Sequence, residues 1–206
     1  MKMLSLTKSC IKKKLILTSS MMLIFSAILF TGCKNTPKTM IPEAVEPTTG
    51  QLIKRGEYLV TISGCNDCHS PKQITELGPM VIKESMLSGY PADRPAQKAD
   101  PRVIKQGWML LNFDFTSAAG PWGVSFAANL TSDQTGIGSW TEENFKRALK
   151  EGKYKGLEGS RALLPPMPWI NFTTIEDGDV KAIFAYLKST NPVKNVVPMP
   201  VSPEGI

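Results

Sequence analysis

The chain of 206 residues contains one histidine and four cysteines, and these small numbers restrict its metal chemistry. His69 follows directly after Cys68, and Cys65 lies three residues before Cys68, whereas Cys10 and Cys33 belong to the N-terminal region. The central part of the chain therefore supplies three zinc-type ligands, and a tetrahedral zinc site needs four.

The chain also lacks a large excess of charge once its N-terminus is set aside. Residues 1–32 hold five lysines and no acid, and without them the chain has 19 basic and 18 acidic residues. A net charge of +1 gives no electrostatic attraction to a phosphate backbone. Nucleic acid is therefore not an expected partner.

A run of about 20 consecutive apolar residues, the length that spans a bilayer, is missing too. The apolar stretch from Leu15 to Phe30 has 16 residues, is interrupted by Ser and Thr, and follows a lysine-rich start. This pattern predicts a signal peptide over residues 1–32 rather than a membrane-spanning helix. The run Phe30-Thr31-Gly32-Cys33 resembles a bacterial lipobox, which implies an exported lipoprotein, anchored through Cys33 on the periplasmic side of a membrane.

What the chain does contain is the run Cys65-Asn66-Asp67-Cys68-His69. The pattern C-x-x-C-H is the signature of covalent c-type haem attachment. Each thiol adds to one vinyl group of the porphyrin, and the spacing places both thiols on one side of the macrocycle. His69 then lies where its imidazole can ligate the iron. The motif occurs once, so one haem c is predicted.

A redox-active dithiol is an alternative for a Cys-x-x-Cys pair. It calls for a βαβ context and does not explain the adjacent His69. In the haem interpretation Cys10 leaves with the signal peptide, Cys33 carries lipid, and Cys65 and Cys68 carry haem. No structural disulfide is then predicted, although the compartment of an exported protein permits one.

Residues 33–50 are rich in Pro and Thr and predict a flexible tether, and residues 192–206 predict a Pro-rich C-terminal tail. Between them, residues 51–191 predict one domain with helices over Gln51–Ser63, over Trp140–Lys150 and around Val180–Leu187. Gly56 interrupts the first helix at a cost of about 1 kcal/mol relative to alanine, and close contact with another helix would explain it.

Arg55-Gly56-Glu57-Tyr58-Leu59-Val60, followed by Gly64 and the haem motif through Pro71, resembles the opening of class I cytochrome c domains. The resemblance is strongest to the cytochrome c subunits of membrane-bound alcohol, aldehyde and gluconate dehydrogenases. It implies an all-α fold of helices around one haem. It also implies that the opening helix crosses the closing helix where Gly56 meets an aromatic residue, Phe184 or Tyr186.

Residues 72–128 form a long insertion whose prolines argue against long regular elements. The run Gly107 to Phe115 alternates in part and indicates a strand or hairpin arm, and Gly120-Pro121-Trp122-Gly123 indicates a turn. A stretch of this length inside a compact domain is usually functional, and we expect it to wrap one haem edge.

The second iron ligand is predicted to be Met167, in Leu163-Leu164-Pro165-Pro166-Met167-Pro168-Trp169. Three methionines are flanked by proline: Met80, Met167 and Met199. Met80 is 11 residues beyond His69 and Met199 lies in the tail, whereas Met167 precedes the last helix, where the class I cytochromes that this chain resembles carry their methionine. Iron held by histidine and methionine is the cytochrome c arrangement.

The function expected from these features is transfer of single electrons rather than catalysis. The resemblance implies a dehydrogenase as donor, of which the chain could be an accessory subunit, and a respiratory cytochrome or oxidase as acceptor. The alternatives are a peroxidase-like haem enzyme or a haem-based sensor. Both require an open iron position, and therefore an absent or weak Met167 ligand.

Overall fold

The computed structural model describes residues 46–206. The predicted signal peptide, the lipidation site Cys33 and most of the predicted tether lie outside the described residues. Within 46–206 there are five α-helices: α1 (Thr49–Ile62), α2 (Cys65–His69), α3 (Pro101–Lys105), α4 (Glu142–Glu151) and α5 (Asp177–Ser189). None of the helices in this described range is both long and apolar enough to span a membrane.

The described residues also contain five short strands: β1 (Lys72–Thr75), β2 (Gly78–Val81), β3 (Leu110–Leu111), β4 (Ser117–Gly120) and β5 (Gly123–Phe126). Strands β1 and β2 form an antiparallel hairpin, and β3, β4 and β5 form an antiparallel sheet in that order. All five lie in the predicted insertion. The all-α prediction is therefore confirmed only in part, because helices form the core while small sheets occupy the insertion.

The turn predicted at Gly120-Pro121-Trp122-Gly123 is confirmed, since Gly120 pairs with Gly123 across the β4–β5 hairpin. The arm predicted over Gly107 to Phe115 is shorter than expected and is limited to the two residues of β3. Strands of two to four residues carry too little alternation to be recognised from sequence.

The first and last of the longer helices, α1 and α5, cross at Gly56. An added Cβ there would lie 2.0 Å from the Ala182 carbonyl oxygen and 2.7 Å from Tyr186 Cβ. The predicted close contact is confirmed, and Tyr186 is the aromatic partner. Phe184 instead packs on Phe145 of α4, with 5.4 Å between the ring centroids.

The core joins these three helices to the insertion. Its buried members are Leu59, Val60, Leu87, Ile137, Phe145, Val180, Ala182, Ile183 and Leu187. Leu87 precedes Ser88 and Gly89 in the insertion, so that segment is part of the core rather than a surface excursion.

The helix predicted over Trp140–Lys150 is confirmed as α4, which begins at Glu142 and is capped by Thr141. The Thr141 hydroxyl accepts from Asn144 N at 3.1 Å, and Asn144 Oδ1 accepts in return from Thr141 N at 3.2 Å. Trp140 and Phe145 flank this capping box and both contact the core, as a hydrophobic staple does. Gly152, with φ of 64°, ends the helix in the left-handed conformation.

Replacement of Thr141 by alanine is expected to lower the free energy of unfolding by about 1 kcal/mol, because the backbone N–H of Asn144 loses its acceptor, the Thr141 hydroxyl. Urea denaturation followed by circular dichroism measures the loss. Thr141→Ser retains the hydroxyl and is the control. An equal loss in both variants would show that the hydroxyl is not the cause.

The C-terminal tail is attached to the insertion at two places. Asn195 Nδ2 donates to the carbonyl oxygens of Ser88 and Tyr90 at 2.7 and 2.9 Å. Val201 exchanges two backbone hydrogen bonds of 2.9 Å with Val124 of β5. The tail thus follows the outer edge of the three-stranded sheet.

Candidate functional site

The single-turn helix α2 carries Cys65, Cys68 and His69. Gly64 precedes it with φ of 68°, a left-handed conformation that lets α2 begin with only Ser63 and Gly64 between it and the end of α1. Cys65 and Cys68 are three residues apart on this helix and therefore share a face. Both thiols are free and half-buried.

Burial raises the pKa of both thiols. Cys65 packs against the core, and burial raises the pKa of its thiol to about 11. Burial also raises the pKa of Cys68, although the nearby ammonium of Lys72 opposes this shift. A redox-active dithiol requires a thiol of lowered pKa, so this environment does not favour the dithiol alternative.

A zinc site receives no support from the described part of the chain either. No group of three or more His, Cys, Asp or Glu side chains in residues 46–206 is arranged to hold a metal ion. Cys65, Cys68 and His69 therefore do not converge as zinc ligands do.

The orientation of His69 is fixed by a backbone carbonyl. His69 Nδ1 lies 2.8 Å from the carbonyl oxygen of Ala128. A carbonyl oxygen can only accept, so Nδ1 carries the proton and Nε2 presents its lone pair. Burial lowers the pKa of His69, and the bond to Ala128 opposes that shift only in part. The side chain is therefore a neutral imidazole with Nε2 available to a metal, supported as metal-ligating histidines usually are.

The segment that carries Ala128 is held from both sides. Ala127 N donates to Thr116 O at 2.8 Å, and Tyr90 N donates to Ala127 O at 2.9 Å. Gly89, with φ of 78°, packs so closely that an added Cβ would lie 2.4 Å from Ala127 O. The carbonyl that accepts from His69 is therefore rigidly placed.

Met167 lies in the loop between α4 and α5 and is half-buried. The other two proline-flanked methionines are more exposed, Met80 at 48% and Met199 at 68%. An iron ligand has to be shielded from water that competes for the metal. The burial pattern therefore agrees with the choice of Met167 over Met80 and Met199.

A buried polar cluster next to α2 was not predicted from the sequence. Lys72 Nζ donates to Asp67 O at 2.5 Å and to Asp114 O at 2.6 Å. The Asp114 side chain is fully buried, and its carboxylate accepts a charged hydrogen bond from Arg94 Nη1 at 2.7 Å. Asn112 and Thr116 also donate to it, at 2.8 and 2.6 Å.

This cluster attaches the sheet of the insertion to the end of the C-x-x-C-H helix. The insertion therefore lies beside the motif, and its wrapping of one haem edge stays a prediction. The sequence signal that could have found the cluster is the Asn-x-Asp-x-Thr run at residues 112–116, in which short polar side chains bond locally.

The donor set fits a covalently attached haem. It offers two neutral thiols on one face of a helix, a neutral imidazole whose Nε2 is free, and a thioether on a proline-bounded loop. The crossing of α1 and α5, with the C-x-x-C-H motif directly after α1, resembles the arrangement of class I cytochrome c domains.

Comparison with known proteins finds relatives that include cytochrome c subunits of dehydrogenases. No protein-family model matches the chain. The chain is 28% identical over 136 residues to the cytochrome c subunit of gluconate 2-dehydrogenase from Pantoea cypripedii, covering 66% of the chain and 22% of that protein. It is 30% identical over 136 residues to the cytochrome c subunit of the quinone-type alcohol dehydrogenase from Gluconobacter oxydans, covering 66% of the chain and 20% of that protein.

A third relative, a subunit of nicotinate dehydrogenase from Pseudomonas putida, is 39% identical over 79 residues, 38% of the chain and 6% of that protein. The chain thus spans about a fifth of the length of the two cytochrome c subunits and less of the third relative. The resemblance to dehydrogenase cytochrome c subunits that the sequence motifs predict is confirmed.

Proposed function

We propose that the chain is a c-type cytochrome that carries single electrons. Cys65 and Cys68 would bind haem covalently, and His69 and Met167 would ligate its iron. The observation that carries the proposal is the hydrogen bond between His69 Nδ1 and Ala128 O, because it leaves the Nε2 lone pair free to bind a metal, on the residue that directly follows the second thiol. When bound, the haem supplies an iron that alternates between ferric and ferrous.

The protein's own residues serve attachment, ligand orientation and exclusion of water. The Ala128 carbonyl prevents rotation of the His69 ring, and the prolines beside Met167 limit the conformations of its loop. With His69 and Met167 both serving as iron ligands, neither substrate nor oxygen would need to bind the iron. For this reason we assign electron transfer rather than catalysis.

The proposed donor is a dehydrogenase that oxidises an alcohol, an aldehyde or a sugar acid, and the proposed acceptor is a respiratory cytochrome or oxidase. Support comes from the relatives, which are named as cytochrome c subunits of gluconate and alcohol dehydrogenases. The chain matches only part of each and carries one C-x-x-C-H motif, so we propose one haem for this chain. Contacts between electron-transfer proteins and their redox partners are generally small and short-lived.

We further propose an exported protein, attached to the periplasmic side of a membrane by lipid on Cys33. The lysine-rich start, the 16-residue apolar run and the lipobox-like Phe30-Thr31-Gly32-Cys33 support this location. Incorporation of radiolabelled palmitate in a bacterial host tests it. Label is expected in the unsubstituted chain and not in Cys33→Ala.

The haem assignment is tested by producing the full chain in a host with c-type maturation machinery. Denatured protein is expected to retain haem stain, and dithionite is expected to give sharp visible bands. Cys65→Ser with Cys68→Ser is the matched variant and is expected to lose all covalently bound haem. Absence of stain from the unsubstituted protein, with zinc recovered instead, would contradict the proposal.

Carbon monoxide separates electron transfer from the open-iron alternatives. The reduced, untreated protein is expected to bind carbon monoxide poorly, because Met167 would already ligate the iron. Rapid and complete binding would favour a peroxidase-like enzyme or a sensor.

A further inference from the structure

The loop that carries Met167 has few hydrogen-bond donors of its own. Pro165, Pro166 and Pro168 have no backbone N–H. Met167 N donates to Leu164 O at 3.3 Å, and Trp169 N donates to Met167 O at 3.0 Å, so both bonds stay inside the loop. Leu163 N donates to Gly152 O at 2.7 Å just before this stretch, so within residues 164–168 the hydrogen bonds to the rest of the domain depend on carbonyl groups.

A serine of the insertion satisfies one of these carbonyls. The Oγ of Ser125, a buried residue of β5, donates to Pro165 O at 2.6 Å across 40 residues of sequence. Ala118 O is a more distant acceptor, at 3.3 Å. The indole Nε1 of Trp122 donates to Ser125 Oγ at 3.2 Å, which leaves the hydroxyl proton for Pro165. In the described residues 46–206, the hydrogen bond from the Ser125 hydroxyl joins residues 164–168 to strand β5.

The same short segment also supports the histidine. Ala128, three residues after Ser125, accepts the hydrogen bond from His69 Nδ1. Three residues of extended chain reach at most about 10 Å, so both supports come from one rigid stretch of backbone. Strand β5 is itself anchored on both edges, to β4 and to Val201 of the tail.

We propose that Ser125 is a positioning residue for Met167: its hydroxyl holds the Pro165 carbonyl and thereby keeps the thioether where it ligates the iron. The inference rests on the proposed function, in which Met167 is an axial ligand. Its physical basis is preorganisation, since a loop already held in the ligating conformation has less conformational entropy to lose when sulfur binds the metal. Without the hydrogen bond, other ligands compete with the sulfur more successfully.

The test is the affinity of the folded ferric holoprotein for imidazole, which displaces a methionine ligand and is followed by absorption. Ser125→Ala is expected to bind imidazole about tenfold more tightly, which corresponds to about 1.4 kcal/mol. Ser125→Thr keeps a hydroxyl and is expected to behave like the unsubstituted protein. Ser125→Val has the shape of threonine without the hydroxyl and is expected to behave like Ser125→Ala, with no cavity to complicate folding.

Ser117→Ala is the matched control for a buried serine of the same sheet. Ser117 is as buried as Ser125, and its strand pairs with β5 rather than with the methionine loop. A purely structural role for Ser125 would lower the urea midpoint without changing the imidazole affinity of the folded protein, and that result would overturn the inference. Equal affinities for the threonine and valine variants would overturn it too.

Met167→Ala distinguishes failure of the inference from failure of the proposed function. It is expected to abolish the weak far-red absorption that a thioether gives ferric haem. Persistence of that absorption would overturn the ligand assignment and the role of Ser125 together. Loss of the absorption, combined with unchanged imidazole binding in Ser125→Ala, would overturn only the role of Ser125.

Discussion

Alanine at position 56 is expected to destabilise the protein by about 2 kcal/mol. The added Cβ would lie 2.0 Å from the carbonyl oxygen of Ala182 and 2.7 Å from Tyr186 Cβ. The oxygen belongs to the α5 backbone and cannot move alone, so α1 and α5 must separate. Overpacking of this kind costs about 3 kcal/mol. The gain from alanine over glycine in a helix is about 1 kcal/mol, so the steric effect is the larger one.

Gly50 provides a control within the same helix. An added Cβ at Gly50 meets nothing within 4 Å, so Gly50→Ala should leave stability unchanged or raise it by up to about 1 kcal/mol. Urea denaturation of the two holoproteins measures the difference. If Gly56→Ala were as stable as Gly50→Ala, the close crossing of α1 and α5 would be wrong.

Replacement of Asp114 by alanine is expected to cost about 3–5 kcal/mol, the range for removing one partner of a buried ion pair. The Asp114 side chain is fully buried, and that of Arg94 is 23% exposed. Removal of the Asp114 carboxylate would leave the Arg94 guanidinium without its charged partner. The side-chain amide of Asn112 and the hydroxyl of Thr116, both buried, would each lose an acceptor.

Asp133 makes the same local turn without the ion pair. Its carboxylate accepts from Thr135 N at 2.8 Å and from the Thr135 hydroxyl at 2.5 Å, and the residue is only half-buried. Asp133→Ala should therefore destabilise the protein much less than Asp114→Ala. Similar losses in the two variants would mean that the buried pair contributes little beyond the turn.

The Asp114 cluster also predicts how stability depends on pH. Burial opposes ionisation of Asp114, but hydrogen bonds from Thr116 and Arg94 outweigh it and hold its pKa below the ordinary value of about 3.9. A lowered folded-state pKa contributes stability above the unfolded-state pKa, and this is lost as pH falls through the folded-state pKa. The unsubstituted protein should thus lose stability below about pH 4 more steeply than Asp114→Asn, as urea midpoints at several pH values will show. Parallel curves would contradict this.

The helices that surround the site are predictable from sequence because their signals are local. Apolar spacing indicates α1 and α4, and a glycine inside a helix, as at Gly56, indicates close contact with a second helix. The apolar spacing from Val180 likewise indicates α5. Residue type and spacing are sufficient for each of these predictions.

The contacts that orient the site are not predictable in this way. Ala128 acts through its carbonyl oxygen, which every residue possesses, so no side chain identifies the partner of His69. Ser125 is an ordinary serine until the fold brings Pro165 to it, 40 residues later. The strands beside them are too short for a periodic pattern, and Lys72 resembles a surface lysine until its three carbonyl acceptors are known.

The backbone pairing of Val201 with Val124 has a consequence for behaviour in concentrated solution. The edge strand of an open sheet can pair with a strand of a second molecule wherever its backbone N–H and C=O groups are unpaired. In the described chain the last residues cover one margin of the sheet at β5, and the opposite margin, β3, is only two residues long. Trp108 and Leu111 expose apolar surface nearby. The sheet nevertheless has few unpaired edge groups with which a second molecule could pair and aggregate.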